Sequence, residues 1–209
     1  ASFVEIKTFH SYCFDLLGKV GSLQESEDVV KNAAEIIKNG DVELGRITKT
    51  VVVIDEAQDM DKNEFALIEA LMERNEEMRV IAVGDDDQNI YQFRGSDSKY
   101  LRSFILDKGA VKYELLENYR SCPNIVELAN LFAETITERM KTDPIIPVRK
   151  ENGNVKLIKH GSKNLEKAVV NDIIASAYSG TTCVLTSTNG EAYRVMGSLL
   201  KNNIRAKLI

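Results

Sequence analysis

Val51-Val52-Val53-Ile54-Asp55-Glu56-Ala57-Gln58-Asp59 is the stretch from which the rest of the chain is read. Its run of Val and Ile predicts a strand buried on both faces, as in a parallel sheet. Asp55 and Glu56 follow at its carboxyl end, the edge of an open α/β sheet where ligands bind. An Asp there can hold Mg²⁺, which in turn holds nucleotide phosphates. A neighbouring Glu can orient or deprotonate an attacking water. The plain alternative is a surface turn whose carboxylates cap the next helix.

Working outward, strand and helix patterns alternate. Residues 3–7 alternate apolar and polar, and an apolar helical run over 12–17 stops at Gly18. A helix beginning at Ser26 carries Val29, Val30, Ala33, Ile36 and Ile37 on one face and closes at Asn39-Gly40. Asp61-x-x-Glu64 is a carboxylate capping box, opening a helix with Phe65, Ile68, Leu71 and Met72 on one face. Residues 79–83 predict a second buried strand, 99–106 a helix and 111–116 a strand. Cys122-Pro123 opens a helix predicted to reach about Met140, because Pro suits a first helical turn. An extended connection with Pro144 and Pro147 follows. Strands are then expected at 155–158, 183–186 and 204–209. Helices are expected at 165–178, with Val169, Val170, Ile173 and Ile174 inward, and at 191–200. This alternation implies an α/β fold with a parallel, three-layer sheet. The best break between two lobes falls near Gly109-Ala110.

Composition sets bounds on function. With 209 residues, 44% apolar and 28% charged, the chain can bury a proper core in one or two domains. No apolar run is long enough to span a bilayer, and the first residues are not a signal peptide. Cys13, Cys122 and Cys183 are far apart without CxxC spacing, which argues against zinc and for a reducing, cytoplasmic compartment. Two histidines, His10 and His160, make a His-rich metal site improbable. A net charge of −5 argues against a broad basic nucleic-acid coat but leaves room for a narrow basic groove.

Two further stretches carry candidate chemistry. In Gly84-Asp85-Asp86-Asp87-Gln88-Asn89-Ile90-Tyr91-Gln92-Phe93-Arg94-Gly95-Ser96, Gln88 can bond a phosphate oxygen or a catalytic water. Tyr91 and Phe93 can stack on single-stranded bases, worth about 1–3 kcal/mol each, and Arg94 can meet a phosphate. Alternatively the aromatic rings pack under the loop and the Asp run is a solvated tip. In Leu115-Leu116-Glu117-Asn118-Tyr119-Arg120-Ser121, Arg120 can reach a γ-phosphate across a cleft and Tyr119 can stack on a base. The alternative there is a capping turn with Arg120 paired to Glu117.

In this order and spacing the stretches resemble superfamily 1 DNA helicases of the UvrD/Rep type. DEAQD at 55–59, GDDDQNIYQFRGS at 84–96 and ENYRS at 117–121 match closely. TFHS at 8–11 and Thr188-Asn189, between a strand pattern and an amphipathic helix, give supporting matches, so the resemblance runs nearly end to end. It implies RecA-like, P-loop NTPase-type parallel sheets and parts of two motor lobes, 1–109 and 110–209. By similarity, Asp55 holds Mg²⁺, Glu56 activates water, and Gln58 and Gln88 sense the γ-phosphate of ATP. Tyr119 stacks on adenine and Arg120 contacts the γ-phosphate. Thr8, Phe9, His10, Tyr91, Phe93 and Arg94 line a track for single-stranded DNA.

The departures from that family are as informative. No G-x-x-x-x-G-K-[ST] occurs; Gly18-Lys19 is followed by Val20 and has no Gly five residues before Gly18. The family's late motifs are also missing. Thr186 and Ser187 stand where many relatives show an aromatic and an Arg, and only residues 12–50 separate TFHS from DEAQD. The expectation is therefore an internal segment of a 3′-to-5′ helicase or translocase, inactive when isolated. A non-catalytic module that binds DNA or protein and a helicase–nuclease motor part are the other classes.

Overall fold

Val51–Ile54 forms β1 and pairs in parallel with β2, Arg79–Ala82, from Val51 opposite Arg79 to Ile54 opposite Ala82. The structure is a computed structural model describing residues 4–18, 26–90, 92–161, 164–176 and 178–208. The chain is α/β and divides into two units, Ala1–Gly153 and Asn154–Ile209.

In the first unit, α1 spans Phe9–Leu17, α2 Ser26–Asn39, α3 Leu44–Ile47 and α4 Lys62–Arg74. Gly18 ends α1 in the left-handed conformation, at φ 65°. The core lies between α2 and α4. Val29, Ala33 and Ile37 of α2 and Leu67, Ile68 and Leu71 of α4 are all buried, in one cluster with Ile54 of β1. The Asp61–Glu64 capping box starts α4 as its sequence predicts. At the other end, Arg74 crosses to α2 and donates to the carbonyls of Ile37 (3.1 Å) and Lys38 (2.6 Å), satisfying helix-end acceptors.

The expected burial of both sheet faces does not hold. Val52, Ile54, Val80 and Ala82 face the helices, whereas Val53 is 64% and Ile81 52% exposed. Strand side chains alternate between faces, and among the described residues the helical cover lies on one face. Helix α5, Lys99–Leu106, follows; its Phe104 ring meets Phe65 edge-on at 5.5 Å.

A second parallel pair joins β3, Glu117–Asn118, to β4, Ile146–Pro147. Between them α6 spans Pro123–Ala133, with Pro at its start. The helix therefore stops short of Met140. Thr135, Ile136 and Thr137 are three consecutive β-branched residues with poor helix propensity, and Glu138 takes a left-handed φ of 62°. The Asn130 amide bonds both N–H and C=O of Ile145, and the Asn124 amide does the same for Gly153, which returns the chain along α6.

The second unit packs α7, Leu165–Ser176, on α8, Asn189–Lys201, through Val170, Val195 and Leu199. Val169 and Ile174, expected inward, are exposed. Thr188 and Glu191 form a capping box at the start of α8.

The strands expected at 4–7, 111–116, 155–158, 183–186 and 204–208 are not formed. A strand exists only through its neighbour's hydrogen bonds; apart from the Leu116 carbonyl, which accepts from Ile146 N at 2.7 Å, these stretches have no ladder partner among the described residues. Among the described residues the parallel sheets are thus two-stranded, not one extended three-layer sheet. No helix among the described residues is long and apolar enough to cross a membrane.

Leu67→Ala should cost roughly 2–5 kcal/mol through lost transfer energy and a cavity. Leu157→Ala, at an exposed position, should stay within about 0.5 kcal/mol. Urea midpoints at unchanged m-value check both.

Candidate nucleotide site

The two parallel strands end in a shared loop platform. The ladder is prolonged beyond β1 and β2, with Val83 N donating to Ile54 O and Ala57 N donating to Val83 O, both at 2.8 Å. These bonds bring 55–58 against 84–88. Asp55 is exposed at the strand end, and its Oδ1 accepts from Glu56 N at 3.1 Å. Glu56 sits in the left-handed region (φ 51°, ψ 43°), a conformation costing a non-Gly residue about 1–2 kcal/mol. That turn directs the chain into a short 3-10 turn, Ala57–Asp59.

Gln58 is 2% exposed and organises the platform. Its Nε2 donates to Glu56 Oε2 (2.8 Å), and its Oε1 accepts from Asp85 N (3.0 Å). Its backbone carbonyl accepts from Asn89 Nδ2 (2.9 Å), and Asn89 Oδ1 accepts from the buried Ser96 hydroxyl. Gly84 is required by this packing. A Cβ there would lie 2.7 Å from Gln58 Oε1 and 3.0 Å from Gln58 N. Gln88 is exposed and donates from Nε2 to Asp85 Oδ2 at 2.7 Å. Hydrogen bonds therefore connect Glu56, Gln58, Asp85 and Gln88. Burial and the neighbouring Glu56 charge raise the carboxyl of Asp59, whose Oδ1 has no hydrogen-bond partner.

The Asp run is not a solvated tip. Arg139 grips both oxygens of Asp87, at 2.8 and 2.7 Å. Lys141 reaches Asp85 Oδ1 at 2.6 Å and Asp87 Oδ2 at 3.4 Å. Met140 N donates to Asp86 Oδ2 at 2.5 Å. The Arg139 side chain is 17% and that of Asp87 13% exposed, so water screens their attraction little. The Arg139 guanidinium holds the Asp87 carboxyl below its ordinary value. The sequence hides these cations because Arg139 lies in a stretch that reads as helix and Lys141 in one that reads as an extended connection, both distant from the Asp run. The available signal is three adjacent carboxylates, whose mutual repulsion demands compensation by cations.

The other predicted site residues lie apart from this bonded set. Tyr119 is exposed, and its hydroxyl donates to Glu117. Asn118 Oδ1 accepts from the backbone N–H groups of Arg120 and Ser121, forming the turn after β3. The Arg120–Glu117 ion pair weighed as an alternative is not formed, since Tyr119 takes Glu117. Thr8 caps α1, its hydroxyl accepting from Ser11 N, and Phe9 packs against the core. His10 is exposed, and burial raises the carboxyl of the half-buried Glu64. Phe93 is exposed in a 3-10 turn, Gln92–Arg94, which positions the Arg94 backbone. Tyr91 lies outside the described residues.

Gly84→Ala should cost roughly 1–3 kcal/mol by overpacking against Gln58, read as a lowered thermal midpoint. Asp87 gives the clamp a pH dependence. Its folded pKa lies below the ordinary 3.8, so its stabilising contribution is complete above 3.8 and lost as pH falls through the lower folded value. The stability advantage of wild type over Asp87→Asn should therefore be constant near neutrality and shrink only in strong acid. Denaturant titrations across pH measure it.

Comparison with known proteins places these residues in a family. Residues 22–108 match the UvrD/REP helicase N-terminal domain, and residues 113–209 the UvrD-like helicase C-terminal domain. DNA helicase II of Escherichia coli is 37% identical over 92 residues, covering 44% of this chain and 12% of that protein. ATP-dependent DNA helicase PcrA of Staphylococcus epidermidis is 30% identical over 159 residues, covering 72% and 21%. PcrA of Leuconostoc citreum is 29% identical over 167 residues, covering 75% and 21%. The chain thus spans between about an eighth and a fifth of these relatives. With the two domain matches together taking in most of its length, the chain belongs to the UvrD/Rep-type helicase family.

Proposed function

We propose that this chain is the nucleotide-coupling segment of an ATP-dependent DNA helicase or translocase that moves along single-stranded DNA, with 3′-to-5′ polarity. The observation carrying this reading is the hydrogen-bonded set Glu56–Gln58–Asp85–Gln88 at the carboxyl ends of two parallel strands. Catalysis of phosphoryl transfer rests on positioning and charge stabilisation, and this set positions two carboxylates and two carboxamides. The names of the relatives, DNA helicase II and ATP-dependent DNA helicase PcrA, support the substrate classes.

In this reading Glu56 orients the attacking water and takes its proton. Gln58 holds the Glu56 carboxylate in place, and Gln88 senses the γ-phosphate. Asp55 is suited to Mg²⁺, being an exposed carboxylate at the strand end that spends one hydrogen bond on Glu56 N. When bound, the ion neutralises phosphate charge. Tyr119 and Arg120, exposed after β3, serve the adenine and the γ-phosphate. Thr8, Phe9, His10, Tyr91, Phe93 and Arg94 serve single-stranded DNA, with Phe93 as an exposed stacking face. The matched spans 22–108 and 113–209 support two motor lobes meeting near residue 110. Three free thiols support a reducing, cytoplasmic setting.

The sequence holds no G-x-x-x-x-G-K-[ST] loop, so hydrolysis is assigned to a longer polypeptide carrying this segment, not to the 209 residues alone. ATPase turnover with and without single-stranded DNA tests this. The full-length protein should show DNA-stimulated turnover that falls at least about a hundredfold in Glu56→Gln, the scale of losing a general base. The 209-residue chain should show none. DNA binding without turnover in the full-length protein would favour a non-catalytic module.

A further inference from the structure

The segment after α6 contributes to the platform from a distant part of the sequence. We propose that Arg139 and Lys141 are positioning residues that clamp the 85–88 loop and thereby fix where Gln88 presents its amide and where Gln58 holds Glu56. The clamp is built from three directions. Arg139 binds Asp87 through two parallel N–H···O bonds, the geometry that gives Arg–carboxylate pairs their directional hold. Lys141 binds Asp85 on one oxygen while Gln88 binds the other. Met140 anchors the segment, its N–H on Asp86 and its side chain against the core.

Asp85 is the junction. Its carboxylate receives Lys141, Gln88 and the backbone N–H of Asp87, while its own N–H donates to Gln58, which holds Glu56. An unbroken series of polar contacts therefore runs from residues 139–141 to Glu56. The segment itself is held by Arg102 donating to the Glu138 carbonyl and by Lys112 donating to the Met140 carbonyl. Residues 139–141 fall in the span matching the C-terminal helicase domain, and 85–88 in the span matching the N-terminal one. The clamp thus joins the stretches assigned to different motor lobes at the sensor loop. Its enzymatic consequence rests on the helicase reading above; the clamp itself does not.

Two readouts on the full-length protein test it. Amide exchange at Met140, whose N–H bonds Asp86, and at Asp85, whose N–H bonds Gln58 from the clamped loop, should speed up at least about tenfold in Arg139→Ala while α2 and α4 stay protected. In the same variant kcat for DNA-stimulated ATP hydrolysis should fall about tenfold with KM for ATP nearly unchanged, the scale of losing a supporting residue behind a functional group. Arg139→Lys should recover part of kcat, and the exchanged pair Asp87→Arg with Arg139→Asp should recover more than either single reversal. Unchanged exchange at Asp85 would overturn the clamp. Loosened exchange with kcat within twofold of wild type would overturn its role in positioning. A wild-type protein without ATPase would count against the helicase reading and, with it, the kinetic consequence; exchange at Asp85 would still decide the clamp.

Discussion

Gln58 is a neutral amide sealed beneath two loops, and both ends of that amide are used. A buried carboxamide left unpaired costs about 1–3 kcal/mol, so its two bonds dictate what must surround it. Nε2 requires an acceptor, supplied by Glu56; Oε1 requires a donor, supplied by the backbone of Asp85. Meeting both demands forces the carboxyl ends of β1 and β2 into one platform and leaves no space for a side chain at Gly84. The left-handed turn at Glu56 follows from the same constraint, because the carboxylate must reach back toward the amide two residues ahead.

Charge compensation extends that platform. Three consecutive aspartates repel one another, and the fold resolves the repulsion with Arg139, Lys141 and the Met140 N–H. Those groups are available only because α6 ends at Ala133 and Glu138 turns the chain. A helix continuing to Met140 would spend that N–H within itself and fan the two cations around its axis. Helix termination at one place and loop order at another are thus one arrangement, and Gln88 inherits its position from it.

The helical core serves as foundation. Packing of α2 on α4 buries the helix-facing side of β1, and the capping contacts of Arg74 and Asp61 fix the helix ends. A scaffold of this kind suits a site whose chemistry lies in exposed loop groups, since rigid elements position loops with low local stability.

Much was legible in the sequence because it depends on near neighbours. The capping box at Asp61, the glycine stop at Gly18, the apolar face of α2 and the β1 strand are set by spacings of a few residues, and they stand as predicted. The resemblance carried by DEAQD, GDDDQ and ENYRS also needs only local order. Tertiary structure decided what depends on distant partners. Residues 111–115, 155–158 and 183–186 have strand-like composition but no ladder partner among the described residues, and strand formation is a property of a pair. Val53 and Ile81 look like core residues but lie on the uncovered face. The Asp run looks solvated in sequence and is compensated in space by cations more than fifty residues away. Hydrophobic periodicity and caps are written into consecutive residues, whereas sheet pairing and charge neutralisation depend on which surfaces the folded chain brings together.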